Sequence, residues 1–131
     1  MTMSFRPSDT THKSIAVDFL RLAATGHVRE AYAEHVGPGF RHHNPFFKED
    51  TEALIEGMEE TAMREPDKVL DILRAIEDGD FVAVHSRLRR SAEEAGIAVV
   101  HIFRFVGDRI VEFWDVAQPV PATSPNANGM F

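Results

Sequence analysis

Apolar residues in the first half of the chain recur at helical spacing. Ile15, Phe19 and Leu22, with Ala16 and Ala23 beside them, fall on one face of a helix. Ser8 or Asp9 is expected to cap it, because either side chain can accept hydrogen bonds from the free first-turn amides. Thr25-Gly26 ends it. A second short helix is predicted over about Val28 to His35, stopped by Gly37-Pro38-Gly39. Phe40 to His43 reads as a short extended piece closed by Asn44-Pro45, since a residue before proline is biased away from helix. Phe46 and Phe47 follow in a loop. A third helix is predicted from about Asp50 to Arg64, with Leu54, Ile55, Met58 and Ala62 as its buried stripe and Pro66 beyond its end.

The pattern then changes period. Val69 to Glu77, Phe81 to Leu88, Ile97 to Val106 and Arg109 to Ala117 read as strands, rich in β-branched and aromatic residues. Asp78-Gly79 and Gly107-Asp108 mark tight hairpin turns, and the polar run 91–96 marks a third turn. The tail, 118–131, is rich in proline and asparagine and carries no regular pattern. Helices followed by a four-stranded antiparallel meander predict an α+β fold, one domain over residues 1–131, with a ligand pocket between the layers.

Composition narrows the chemistry. The 131 residues are 44% hydrophobic and 27% charged, as in a globular domain. There is no cysteine, which excludes disulfides, thiol nucleophiles and thiolate metal sites. Fourteen basic residues against 21 acidic ones leave a net charge of −7, so nucleic acid is not an expected partner. No apolar run approaches the ~20 residues of a membrane span, and the first residues lack the apolar core of a signal peptide. The expectation is a cytoplasmic protein without membrane contact.

Histidines and carboxylates are left to carry chemistry. In an extended segment His42 and His43 point to opposite faces, so one is expected inward and the two cannot easily grip one metal. His101 shares a strand face with Val99, Phe103 and Phe105, where an unpaired polar atom costs several kcal/mol. Its partner depends on the turn at Gly107-Asp108. A two-residue turn sets His101 opposite Trp114, on one face with Glu112. A three-residue turn with a bulge sets it opposite Asp115. The turn residues allow both. His85 shares a face with Arg87, directed either to the cavity or to solvent. Trp114, Phe46, Phe47, Phe103 and Phe113 are candidates for core and pocket wall. The chain has no glycine-rich phosphate loop, serine nucleophile elbow or His-Glu-x-x-His helix.

Three segments, FRHHNPFF, VVHIFRFVGDRIVEFWDVAQPVP and SPNANGMF, together resemble the SnoaL-like polyketide cyclases of the nuclear transport factor 2-like superfamily. The resemblance lies nearest the branch of predicted aldol-condensation enzymes and covers about Asp9 to Phe131. It implies a cone-shaped α+β barrel with a deep apolar pocket, usually in a homodimer. It implies an acid/base aspartate on the last strand, matching Asp115, and a supporting histidine on the strand before it, matching His101. That match favours the bulged register. His43 matches an inward polar residue at the pocket entrance. No cofactor or metal is implied, and the expected ligand is an apolar carbonyl-containing small molecule. Asn44, Phe46, Phe47, His85, Phe103 and Trp114 are expected to bind it. The alternative reading is a non-catalytic binder of an apolar molecule in the same pocket.

Overall fold

The computed structural model describes residues 11–131. The expected caps Ser8 and Asp9 lie outside them. Within them Thr11 caps α1 (His12–Ala24), its Oγ1 accepting from the Ser14 amide at 3.1 Å. α2 spans Val28–His35. α3 spans Thr51–Arg64, and the Asp50 carboxylate accepts from the Ala53 amide at 3.0 Å. Each capping side chain satisfies a first-turn amide that has no partner inside its helix.

The strands are β1 (Val36–His42), β2 (Val69–Asp78), β3 (Phe81–Arg89), β4 (Ile97–Val106) and β5 (Arg109–Pro119). They form one sheet in the order β1-β5-β4-β3-β2. β1 runs parallel to β5 and the other pairs are antiparallel. The meander expected from the sequence is therefore extended by a fifth, parallel strand. Gly37-Pro38-Gly39, read as a helix stop, belongs to that strand. The physical reason is position. β1 is an edge strand, where a proline that cannot donate costs no ladder bond, and its register shifts between Val36 and Arg41.

Both tight hairpins have two-residue turns that begin with glycine. Asp78 pairs with Phe81, so the first turn is Gly79-Asp80, one residue later than the sequence suggested. Val106 pairs with Arg109 around Gly107-Asp108. Gly79 and Gly107 have φ of 59° and 58°, at the first central position where a type II′ turn needs glycine. His12 ties the two turns together. Its ring stacks on Phe105 at 4.3 Å, and its nitrogens lie 3.2 Å and 2.8 Å from the Gly79 and Gly107 carbonyls.

Three helices against one face of this sheet make the α+β cone. Its core joins Ile15, Phe19 and Leu20 of α1, Ala31 and Tyr32 of α2 and Leu54 of α3 to the inner face of the sheet. Phe19 is fully buried and meets Tyr32, Phe103 and Phe113 edge-on at 5.2, 5.8 and 6.1 Å. Truncating such a ring to alanine costs about 3–5 kcal/mol.

Candidate functional site

The site is set by a bulge. From the turn outward, Val106 pairs with Arg109 and Phe105 with Ile110, but Arg104 pairs with Glu112. Val111 is the extra residue on β5. Side chains alternate along a strand, so one inserted residue exchanges the faces of everything beyond it. His101 thereby faces Asp115, and Phe103 faces Phe113. The turn is the two-residue one, yet the pairing is the one expected of a bulged turn, because the bulge sits within the ladder.

His101, Phe113 and Asp115 open into a cavity of about 240 Å³ between the sheet and the helices. α1 contributes Leu20, Ala23 and Ala24 to its wall. α3 contributes Leu54, Gly57, Met58 and Thr61. Leu70 and Leu88, opposite each other on β2 and β3, close the far side, with Lys68 just before β2. Asn44 and Phe47 reach in from the loop after β1. Gly57 makes room for Phe47, because a Cβ there would lie 2.2 Å from that ring.

Asp115 accepts a hydrogen bond from Asn44 Nδ2 at 2.9 Å. Asn44 is itself held, its Oδ1 accepting from the Phe46 amide at 2.9 Å. His101 lies against Phe113 at 5.4 Å, and its Nδ1 is buried without a hydrogen-bond partner among the described residues. Burial lowers the His101 pKa from 6.5 to about 4, so the imidazole is neutral at physiological pH. An unpaired buried nitrogen costs about 1–3 kcal/mol. Tyr32 stands behind this pair. Its phenol is raised above its ordinary range, first by burial and then by the Asp115 charge. Its hydroxyl donates to Met58 Sδ, at 3.2 Å.

The other expected site residues lie elsewhere. His43 was expected inward but faces outward, stacked on Trp114 at 5.0 Å with Nε2 2.7 Å from Glu112 Oε2. His42 is the inward member of the pair. Its Nε2 lies 2.8 Å from the Lys48 carbonyl and its Nδ1 accepts from the Asn44 amide at 3.2 Å, so it shapes the loop that carries Asn44. Trp114 alternates with Phe113 and Asp115 and so takes the outer face. His85 is also outside, bonded to Arg74 and stacked on Phe131 at 6.1 Å. Phe46 is 87% exposed, and Phe103 is wholly in the core.

Glu112 anchors the outer face. Beyond His43 it takes Arg104 Nε at 2.9 Å and Arg41 Nη2 at 3.2 Å. The His43 hydrogen bond, then Arg104 and Arg41, hold its pKa below the usual carboxylate value against an opposing effect of burial. Away from the cavity, Asp18, Glu34 and His35 place three potential metal-ligand atoms within 4.8 Å of one another, though Asp18 Oδ2 and His35 Nε2 already bond at 2.6 Å. No helix among the described residues is long and apolar enough to cross a membrane.

Lys68 and the walls supplied by α1 and α3 were not anticipated. Their apolar residues read as core, and the single lysine before a strand carries no motif.

Comparison with known proteins gives a consistent picture. The SnoaL-like domain model matches residues 16–113. Among curated proteins no sequence matches. AclR, a proposed hydroxylase from Streptomyces galilaeus, superposes with a TM-score of 0.68 at 18% identity, covering 82% of this chain and 88% of that one. An NTF2-like protein of unknown function from Cytophaga hutchinsonii gives 0.64 at 15%, covering 91% and 96%. A proposed polyketide cyclase from Sinorhizobium meliloti gives 0.65 at 14%, covering 86% and 100%.

Proposed function

The chain belongs to the SnoaL-like family, and from that premise we propose that it is a cofactor-independent enzyme acting on an apolar carbonyl compound, by aldol-type condensation, cyclisation or a related proton transfer beside the carbonyl. Asp115 removes the proton α to the carbonyl and returns it to carbon or to the product oxygen. Neutral His101 hydrogen-bonds the carbonyl oxygen as it gains charge, and Asn44 fixes the aspartate. The observation that carries this reading is the pairing of His101 with Asp115 across β4 and β5 at the wall of a mostly apolar cavity. Asp115 makes no ion pair with Arg104 or Arg109 among the described residues. Arg104 is engaged by Glu112, and Arg109 by the Glu34 carbonyl.

A positioned base contributes typically ~10²–10⁴-fold. Asp115→Asn, in protein that remains folded, is expected to lose turnover of a keto compound on that scale. Unchanged turnover removes Asp115 from the mechanism. One observation favours the second reading, binding without catalysis. His101 and Asp115 make no hydrogen bond to each other in the free protein, so the pair is not already joined for proton transfer. A ligand that binds while its α-hydrogens do not exchange would establish that reading.

The same proposal includes a homodimer. Ile76, Phe81 and Val116 are 62%, 45% and 65% exposed on the outer face, beside Trp114 and Ile102. A second copy of the chain would cover this apolar strip. Sedimentation at micromolar concentration is expected to give a dimer, and a clean monomer contradicts it.

A further inference from the structure

The cavity contains a cation that the proposed reaction does not use. Lys68 lines the same cavity as Asp115 and His101, yet it enters from the far edge of the sheet. It precedes β2, whereas Asp115 is on β5, three strands away in the sheet order. Its amide donates to the Glu65 carbonyl at 3.2 Å, which fixes the backbone of the turn that presents it. Among the described residues its ammonium forms no ion pair or side-chain hydrogen bond. The other arginine and lysine side chains with assigned partners lie outside the lining.

The groups around Lys68 do not complete it. Thr61, the polar residue that α3 contributes to the lining, gives its hydroxyl proton to the Gly57 carbonyl at 3.0 Å. β2 and β3 add Leu70 and Leu88 to the lining, and both are apolar. Asp115, the carboxylate in the lining, is taken by Asn44 and lies more than a salt-bridge distance from the ammonium. The cavity thus holds an acceptor-rich end at Asp115 and a donor-rich end at Lys68, with apolar wall between them.

We propose that the ligand is a keto acid, whose carboxylate is held by Lys68 while its carbonyl lies at His101 and Asp115. The proposal rests on the reading of this cavity as the functional site, and it adds the substrate class. An ammonium partly removed from water, with Glu65 acting on its charge but no carboxylate in ion-pair contact among the described residues, binds a carboxylate by a charge-assisted hydrogen bond that water competes for poorly. The lysine's pKa is lowered first by burial, and the Glu65 charge offsets that only in part, so the ammonium's lost hydration is incompletely replaced. A carboxylate at that position replaces it. The chemistry requires an anionic oxygen group on the ligand. Carboxylate is preferred to phosphate because a single ammonium supplies the contact, with no arginine and no helix start in the lining to share a double charge.

The test is calorimetric titration of the full chain with 6-oxo-6-phenylhexanoate and with its methyl ester. The two share one ketone and one apolar body and differ in the charge. Wild-type protein is expected to bind the acid roughly tenfold or more tightly than the ester, in line with a charge-assisted contact. In Lys68→Met that ratio is expected to collapse toward one, and Lys68→Arg is expected to restore most of it. Equal binding of acid and ester by wild type overturns the keto-acid assignment and leaves the cavity reading standing. So does an acid preference that persists undiminished in Lys68→Met. Failure of both compounds to bind overturns the cavity reading, and the keto-acid assignment with it.

Discussion

His101 and Asp115 face each other across β4 and β5 because Val111 bulges between them and the turn. The same residue sends Glu112 and Trp114 to the outer face, where Glu112 meets Arg41, His43 and Arg104. One backbone irregularity therefore sorts the last strand into a ligand side and a surface side.

Deleting Val111 should leave those sides in place. Glu112 would follow Ile110 directly and still sit opposite Arg104, with Asp115 opposite His101, because the bulge absorbs Val111 alone. The cost is the packing of one buried valine side chain, about 1.5–3 kcal/mol. Urea denaturation should show folded protein with a loss of that size, and failure to fold would show that the extra residue is itself needed for the register.

Acid sensitivity should carry the mark of His101. Its folded pKa of about 4 lies below the ordinary 6.5, so the unfolded chain binds the extra proton first. Stability is then full above pH 6.5 and falls as the pH drops from 6.5 to 4, by about 3 kcal/mol in order of magnitude. His101→Gln should flatten that window in pH-dependent denaturation, and an unchanged slope would contradict it. Glu112 acts lower. Its depressed pKa adds stability present above about 4.5, the ordinary value, and lost below it, so this second fall should persist in His101→Gln and shrink in Glu112→Gln.

Gly57→Ala separates cavity shape from stability. Alanine favours the helix by about 0.5–1 kcal/mol, but its Cβ would collide with the far end of the Phe47 ring. Phe47 should swing aside at little cost to the fold. The melting temperature should stay within a few degrees of wild type while ketone affinity falls several-fold. Unchanged affinity would mean that Phe47 does not wall the bound ligand.

The helices were legible because burial against a single sheet face writes a 3.6-residue period, as Ile15 and Phe19 or Leu54 and Met58 display. β1 was not recognised as part of the sheet. Gly37-Pro38-Gly39 is poor strand sequence, and only its place at a parallel edge makes it tolerable. The identity of the polar pair was legible from family resemblance, whereas the mechanism of its register was not. Nothing local to Val111 distinguishes it from its β-branched neighbours. Side-chain parity then decided the rest. His43, His85 and Trp114 have the chemistry of site residues and the wrong face, while Asn44 and Phe47 reach the cavity through a loop whose path depends on His42. Lys68 could not be recognised as a site residue until β2 was placed at the edge of the cavity.

The central claim is that Asp115 abstracts a proton beside a carbonyl. It is tested most directly by following hydrogen–deuterium exchange at the α-carbons of 4-phenylbutan-2-one in D2O by NMR. Wild-type protein should accelerate exchange, Asp115→Asn should abolish most of the acceleration, and His43→Ala, changed on the outer face, should retain it. Equal exchange with wild type and Asp115→Asn, or loss in His43→Ala with Asp115→Asn intact, would contradict the account.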